Sequence, residues 1–389
     1  MKPSKRLGKV PPYLFAEIDR KKSAAIARGV DIINMGIGDP DLPTPPHIVE
    51  ALKKAVDDPK THNYPSYQGE LDYRSAVAEW YQKRFNVTLD PQKEVLALIG
   101  SKEGIAHVFT AFVDPGDYVL VPDPGYPVYH MGTILAGGEP YSVPVSEKTN
   151  YFPDFGVIPL DVVRRSKILF LNYPNNPTGA VVGLKEMEAA VEFCRTHDLL
   201  LCWDAAYTEN AYDGYKVHSI LEIKDAKDVA IEFHSLSKTY NMTGWRVGMA
   251  CGSATAVQAL GTIKTNVDSG IFKAIQRAAI VALTAPQDCI AQSNKIYVER
   301  RNVLVEGLNS LGWKLTAPKA TFYMWAPVPE NFTSASFCAH LLDSCGIVAV
   351  PGNGYGAQGK GYFRMAITLP VERIHAAIGR MQAKDIRFQ

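Results

Sequence analysis

From residue 94 onward, short apolar runs alternate with longer amphipathic stretches. The runs at 95–99, 118–121, 168–171, 199–203 and 229–233 have strand length, and helical spacing marks 105–113, 126–135 and 186–195. Runs that are apolar on both faces fit strands covered from both sides, so the alternation predicts an α/β fold with a mostly parallel sheet sandwiched by helices. Upstream, residues 1–12 read as an extended arm punctuated by Pro3, Pro11 and Pro12, followed by helices at 14–28, 46–56 and 70–85. The composition shifts near 262–270, and long helical patterns then run to about residue 311. The remainder reads as a smaller α+β unit, with strands at 322–326, 347–350 and 362–367 and helices at 334–344 and 371–383.

A chain of 389 residues exceeds the ~250–300 at which single cores stop growing, which predicts two domains. The division expected is an arm with part of a small domain (1–45), a large ligand-binding domain (46–285) and a small C-terminal α+β domain (286–389). A net charge of +1 leaves no basic footprint for nucleic acid or an anionic membrane, so small molecules are the expected partners. The six cysteines form no Cys-x-x-Cys pair and no zinc spacing, which predicts reduced, buried thiols and no metal. With no apolar run of ~18 residues and no signal-like segment, a soluble cytoplasmic protein is expected.

Ligands in open parallel sheets collect at the carboxyl ends of the strands, and the residues there are ordered by chemistry. The run 168–171 leads to Asn172-Tyr173-Pro174-Asn175-Asn176-Pro177-Thr178-Gly179, the run 199–203 to Asp204 with Tyr207, and the run 229–233 to Ser235-Leu236-Ser237-Lys238. A lysine amine in a desolvated turn beside another cation loses its proton readily and can condense with an aldehyde. Arg246 can be that cation or a phosphate anchor. Asp204, ending an apolar run, fits either a helix N-cap or a buried carboxylate that needs a cationic partner such as a protonated pyridine nitrogen. The run 95–99 opens through Gly100-Ser101-Lys102 into a helix, whose free N–H groups can hold a phosphate.

Three other features remain open on sequence alone. Tyr126 fits core packing or stacking on a planar ring. Arg364 lies in an apolar strand and calls for a carboxylate, from the protein or from a substrate. Gly36-Ile37-Gly38-Asp39-Pro40 fits a plain turn or a close backbone approach to a ligand. The spacing Gly354-x-Gly356-x-x-Gly359 matches the dinucleotide fingerprint but precedes a strand, so it is set aside.

In order and spacing, Asn176-Pro177-Thr178-Gly179, Asp204-x-x-Tyr207, Ser235-x-Ser237-Lys238 with Arg246, and Arg364 resemble the pyridoxal-phosphate-dependent aminotransferases of fold type I, over nearly the whole chain. The resemblance implies pyridoxal 5'-phosphate as cofactor, linked to Lys238, which also shuttles protons. Asp204 would meet the pyridine nitrogen, Asn176 and Tyr207 the ring oxygen, and Tyr126 the ring face. Ser101, Lys102, Ser235, Ser237 and Arg246 would hold the phosphate, and Arg364 the substrate α-carboxylate. Tyr64, five residues before Gly69, would reach the phosphate of a neighbouring subunit, implying a homodimer with sites at the interface. The stretches 12–18, 36–40, 237–244 and 268–272 resemble the LL-diaminopimelate aminotransferases within that superfamily. That likeness implies transamination of LL-2,6-diaminopimelate with 2-oxoglutarate in lysine biosynthesis, with Tyr13, Gly38, Lys102, Tyr126, Asn176 and Ser269 near the substrate. Gly359-Lys360-Gly361 departs from the Gly-Glu-Gly of that group. An aminotransferase of other specificity, such as an aspartate or alanine type, and a C–S lyase of the same fold remain alternatives. A regulator that binds the cofactor without turnover is disfavoured, because residues 1–30 are too short for a DNA-binding segment.

Overall fold

The computed structural model describes residues 1–10 and 14–388, with backbone alone for 14–17. Twelve strands are formed among them: β1 (Ile33–Asn34), β2 (Val95–Leu98), β3 (Tyr118–Asp123), β4 (Glu139–Pro144), β5 (Ser166–Asn172), β6 (Leu200–Asp204), β7 (Ala230–Ser235), β8 (Gly248–Gly252), β9 (Tyr323–Pro327), β10 (Ile347–Val348), β11 (Val350–Pro351) and β12 (Tyr362–Ala366). Seven make the central sheet in the order β2-β8-β7-β6-β5-β3-β4. Its strands run parallel except β8, which is antiparallel to both neighbours.

The expected strands and helices are present, with ends that move by one or two residues, except that the helix expected at 105–113 begins four residues earlier, at Ser101. Two central strands did not stand out in the pattern. β4 at the sheet edge is exposed or half-buried at every position but Val143, and β8 is rich in glycine and short side chains. Neither carries the continuous branched apolar run that betrays β5 to β7. The residue 347–350 run divides into β10, which pairs with β1, and β11, which joins β12 and β9 in a second small sheet.

Both faces of the central sheet are covered. On one side Tyr73, Val77 and Trp80 of the Leu71–Phe85 helix pack with Leu169, Leu171 and Trp203 of the strands; on the other, Ile105 and Phe109 pack with Phe170 and Phe233. A separate core joins Leu304 and Leu308 of the Asp288–Ser310 helix to Phe337, Phe363, Ile374 and Met381, with Ile33 and Met35 from the N-terminal region. The six cysteines form no disulfide; five are buried and Cys289 is half-buried. No helix among the described residues is long and apolar enough to cross a membrane. The discarded glycine spacing forms two short 3-10 turns, Gly352–Tyr355 and Ala357–Gly359, and the N–H groups of Ala357 and Gln358 donate to Asp123 at 3.0 and 2.9 Å. There the glycines serve packing, since a Cβ on Gly356 would come 2.0 Å from Asp123 Oδ1.

Candidate functional site

The carboxyl ends of β5, β6 and β7 open into a cavity of ≈ 390 Å³, closed from the other side by the Ile37–Asp39 segment, Tyr323 of β9 and Arg364 of β12. Asn176, Asp204, Tyr207, Ser235, Ser237, Lys238, Arg246, Ser101, Lys102, Tyr126, Gly38 and Arg364 all line it. Residues separated by more than three hundred positions thus meet in one space.

Lys238 lies in the short Leu236–Thr239 helix that follows β7, with Ser235 as its N-cap accepting the Ser237 N–H. The lysine Nζ donates to the Gly38 carbonyl at 2.7 Å. Burial pushes its amine down to about 8; Asp39 opposes that shift, while Arg364 and Arg246 add to it. An amine so poised is partly neutral near physiological pH and is a competent nucleophile.

Asp204 ends β6 and is 5% exposed. Its Oδ2 accepts from Tyr129 at 2.8 Å, and its Oδ1 from the Ala206 N–H at 3.3 Å. Burial raises the carboxyl to about 6, more than these two donors offset. A carboxylate held in this way is stabilised by any cation that enters the cavity. The N-cap alternative is met only weakly, by the long Ala206 contact, and no regular helix follows β6 directly. Nearby, Asn172 fixes the loop by donating to the Asp204 carbonyl at 2.7 Å and accepting the Asn176 N–H at 2.8 Å. Tyr207 and Tyr323 share a hydrogen bond of 2.8 Å between their hydroxyls.

Arg364 is 2% exposed. Its Nη1 donates to Asn176 Oδ1 at 2.8 Å and its Nη2 to the Gly36 carbonyl at 2.6 Å, while the guanidinium carbon lies 4.2 Å from the Tyr323 ring centroid. This clasp holds the planar fork at the cavity wall. Gly38 has to lack a side chain, because a Cβ there would come 2.1 Å from the Tyr323 hydroxyl.

The opposite end of the cavity is built for an anion. Gly100, with φ +73°, turns the chain from β2 into the Ser101–Phe112 helix, and no side chain caps its first N–H groups. Arg246 presses against that turn: a Cβ on Gly100 would lie 2.3 Å from Arg246 Nη2, which donates to the Ile99 carbonyl at 3.4 Å. Ser235 and Ser237 lie at the same end, with a helix terminus and a guanidinium facing them.

Two expected residues are not in the cavity. Tyr64 is 85% exposed and Ser269 is also exposed; their two loops touch, since a Cβ on Gly270 would come 2.9 Å from the Ser66 carbonyl oxygen. Tyr13 lies outside the described residues. Conversely, Tyr129, Tyr323 and Asn172 organise the site without having been singled out in the sequence. Tyr129 and Tyr323 read as core aromatics in apolar stretches, and only the pairing of distant elements turns their hydroxyls toward Asp204 and Tyr207.

The model of the family "Aminotransferase class I and II" matches residues 30–381. The LL-diaminopimelate aminotransferase of Gloeobacter violaceus is 56% identical over 391 residues, covering all of both chains, and that of Moorella thermoacetica is 55% identical over 382 residues, covering 98% of each. Among solved structures, substrate-bound BacF from Bacillus subtilis superposes with a TM-score of 0.97 at 37% identity, covering 100% of this chain and 99% of its own. A mutant aspartate aminotransferase of Thermus thermophilus gives 0.92 at 27% identity, covering 99% of this chain and all of its own. The protein is a member of aminotransferase class I and II, a pyridoxal-phosphate-dependent family of fold type I.

Proposed function

We propose that this chain transfers an amino group between LL-2,6-diaminopimelate and 2-oxoglutarate, with pyridoxal 5'-phosphate bound in the cavity described. The observation that carries the reading is the convergence of the Lys238 amine, the buried Asp204 carboxylate, the Arg364 fork and an uncapped helix terminus on one space. The residues fit the group. Asp204 supplies an anion for a protonated ring nitrogen, the Gly100 turn with Arg246, Ser235 and Ser237 takes a phosphate, and Lys238 offers a partly neutral amine for an aldehyde. When bound, pyridoxal phosphate supplies an electron sink for a carbanion at the substrate α-carbon.

Each residue then has a task. Lys238 would hold the group at its aldehyde and would move a proton at the substrate α-carbon through its Nζ. Asp204, itself oriented by Tyr129, would keep a ring nitrogen protonated. Tyr207 donates toward the ring oxygen, and Asn176 joins it through Nδ2, since its Oδ1 is committed to Arg364. Tyr126 covers the ring face. Ser101 and Lys102 complete the phosphate contacts with Ser235, Ser237 and Arg246. Arg364 grips the α-carboxylate as a bidentate fork.

The chain acts as a homodimer in this reading. Exposed Tyr64, Tyr67, Leu71, Val267 and Phe272 flank the two touching loops, an apolar surface suited to a second copy, whose site would receive Tyr64. The division at residues 45 and 285 is supported by the separate cores of the sheet region and of the C-terminal region. The 51–56% identity to eight proteins named LL-diaminopimelate aminotransferase supports the substrate. A panel of amino donors with 2-oxoglutarate tests it. LL-diaminopimelate should exceed aspartate, alanine and aromatic amino acids by at least ~10² in kcat/KM, the scale of unmet buried hydrogen bonds. Preference for any of those donors would refute the substrate and leave the cofactor assignment standing.

A further inference from the structure

Behind the anion-facing turn lies a half-buried charge cluster around a fully buried lysine, which the reaction chemistry above does not use. Lys264, in the Ala254–Val267 helix, has no exposed surface. Its Nζ donates to Asp268 Oδ1 and Oδ2 at 2.8 and 3.0 Å and to Glu103 Oε2 at 3.3 Å. His107 Nδ1 stands 2.7 Å from Glu103 Oε1. Glu103, His107 and Asp268 have donor atoms within 4.8 Å of one another, but the Lys264 ammonium already supplies the cation among them.

The cluster connects directly to the turn. Glu103 lies in the first turn of the Ser101–Phe112 helix, and its Oε2 accepts the Ile99 N–H at 3.0 Å. The Ile99 carbonyl accepts from Arg246, and the next residue, Gly100, packs on that guanidinium. Glu103 therefore braces the peptide from which the anion site is folded. A carboxylate in this first turn also draws on the positive helix end that a bound anion needs, and opposes that anion. A fully buried ammonium is costly by itself, and an apolar side chain of similar volume would avoid the cost. Its position beside Glu103 gives it a purpose: shared with Asp268, it offsets part of the charge of the two carboxylates and leaves the brace in place.

We propose that Lys264 is a positioning residue for the cofactor phosphate, a counter-charge that lets Glu103 brace the Ile99–Gly100 turn without weakening the anion site. The inference rests on the reading that this turn receives the phosphate. Four full-length apoproteins decide it: the unsubstituted chain, Lys264→Met, Glu103→Gln and the double variant. Each is titrated with pyridoxal 5'-phosphate and with unphosphorylated pyridoxal, followed by the absorbance of the bound compound. Lys264→Met should weaken pyridoxal phosphate at least ~tenfold and pyridoxal less than ~threefold, the span expected of a charge near a partly buried helix end. Glutamine retains an acceptor for Ile99, so the double variant should return to within ~threefold of the unsubstituted chain by the same helix-end scale. Glu103→Gln alone should bind pyridoxal phosphate no more weakly than the unsubstituted chain. Equal losses for both compounds in Lys264→Met, or a double variant no better than the single, would overturn the proposal. If Lys264→Met does not fold, a ~tenfold phosphate-specific loss in Glu103→Gln overturns it instead. An unsubstituted chain that does not prefer pyridoxal phosphate to pyridoxal would refute the underlying phosphate assignment, a distinct result.

Discussion

Replacing Asp204 by asparagine should make the cofactor-free protein more stable at pH 8 while crippling the loaded enzyme. Burial raises the Asp204 carboxyl from the ordinary 3.8 to about 6. The folded chain therefore binds this proton more tightly than the unfolded chain does. That contribution to stability is complete below pH 3.8 and is lost as pH rises through about 6, so at pH 8 the ionised carboxylate imposes its whole burial cost. The gap of 2.2 between the two values, at 1.36 kcal/mol per pH unit, is worth about 3 kcal/mol. Asparagine keeps the shape and an acceptor for Tyr129 but carries no charge to bury. Denaturant unfolding of the apoprotein at fixed concentration should show Asp204→Asn ahead by about 3 kcal/mol at pH 8 and by about half that at pH 5. Loaded with cofactor, the variant should lose at least ~10² in kcat, the scale of removing a preorganised charge partner. If the variant is less stable than the unsubstituted apoprotein at pH 8, or its advantage grows toward pH 5, Asp204 is paired within the protein and does not await a cofactor.

Arg364→Lys should raise KM for every amino-acid and oxo-acid substrate by a similar factor of ~10 or more, because an ammonium cannot reproduce the two-pronged grip, while cofactor absorbance is unchanged; steady-state kinetics on two donors and two acceptors checks this, and a loss confined to one substrate would make Arg364 a specificity contact. Gly38→Ala places a methyl 2.1 Å from the Tyr323 hydroxyl, which is hydrogen-bonded to Tyr207 and whose ring lies under the Arg364 guanidinium, so substrate KM should rise ~tenfold with little change in cofactor affinity. An unchanged KM would mean that Tyr323 moves aside freely.

The sequence disclosed the sheet and most of the cavity because strongly buried parallel strands leave continuous apolar runs, and the polar residues after each run fall at one edge of the sheet. Asp204, Asn176 and Lys238 were legible on that ground. The edge strand β4 and the glycine-rich β8 were not, since neither carries such a run. Within the site, the hydroxyls of Tyr129 and Tyr323 act through contacts with residues 75 and 116 positions away, which local pattern does not encode. Lys264 likewise sits within a helix as an ordinary polar residue, and only its complete burial between two carboxylates distinguishes it. For Tyr64 and Ser269, the sequence motif names positions that lie outside this chain's own cavity, so their proposed use depends on a second copy.

Lys238 is the amine proposed to hold the cofactor. The purified protein should be yellow, and borohydride reduction followed by proteolysis and mass mapping should fix a pyridoxyl group on Lys238, with Lys238→Ala binding the cofactor non-covalently and acquiring no such label at residue 238. A pyridoxyl group found on Lys102 or any other lysine, or none on a protein that turns over substrate, would contradict it.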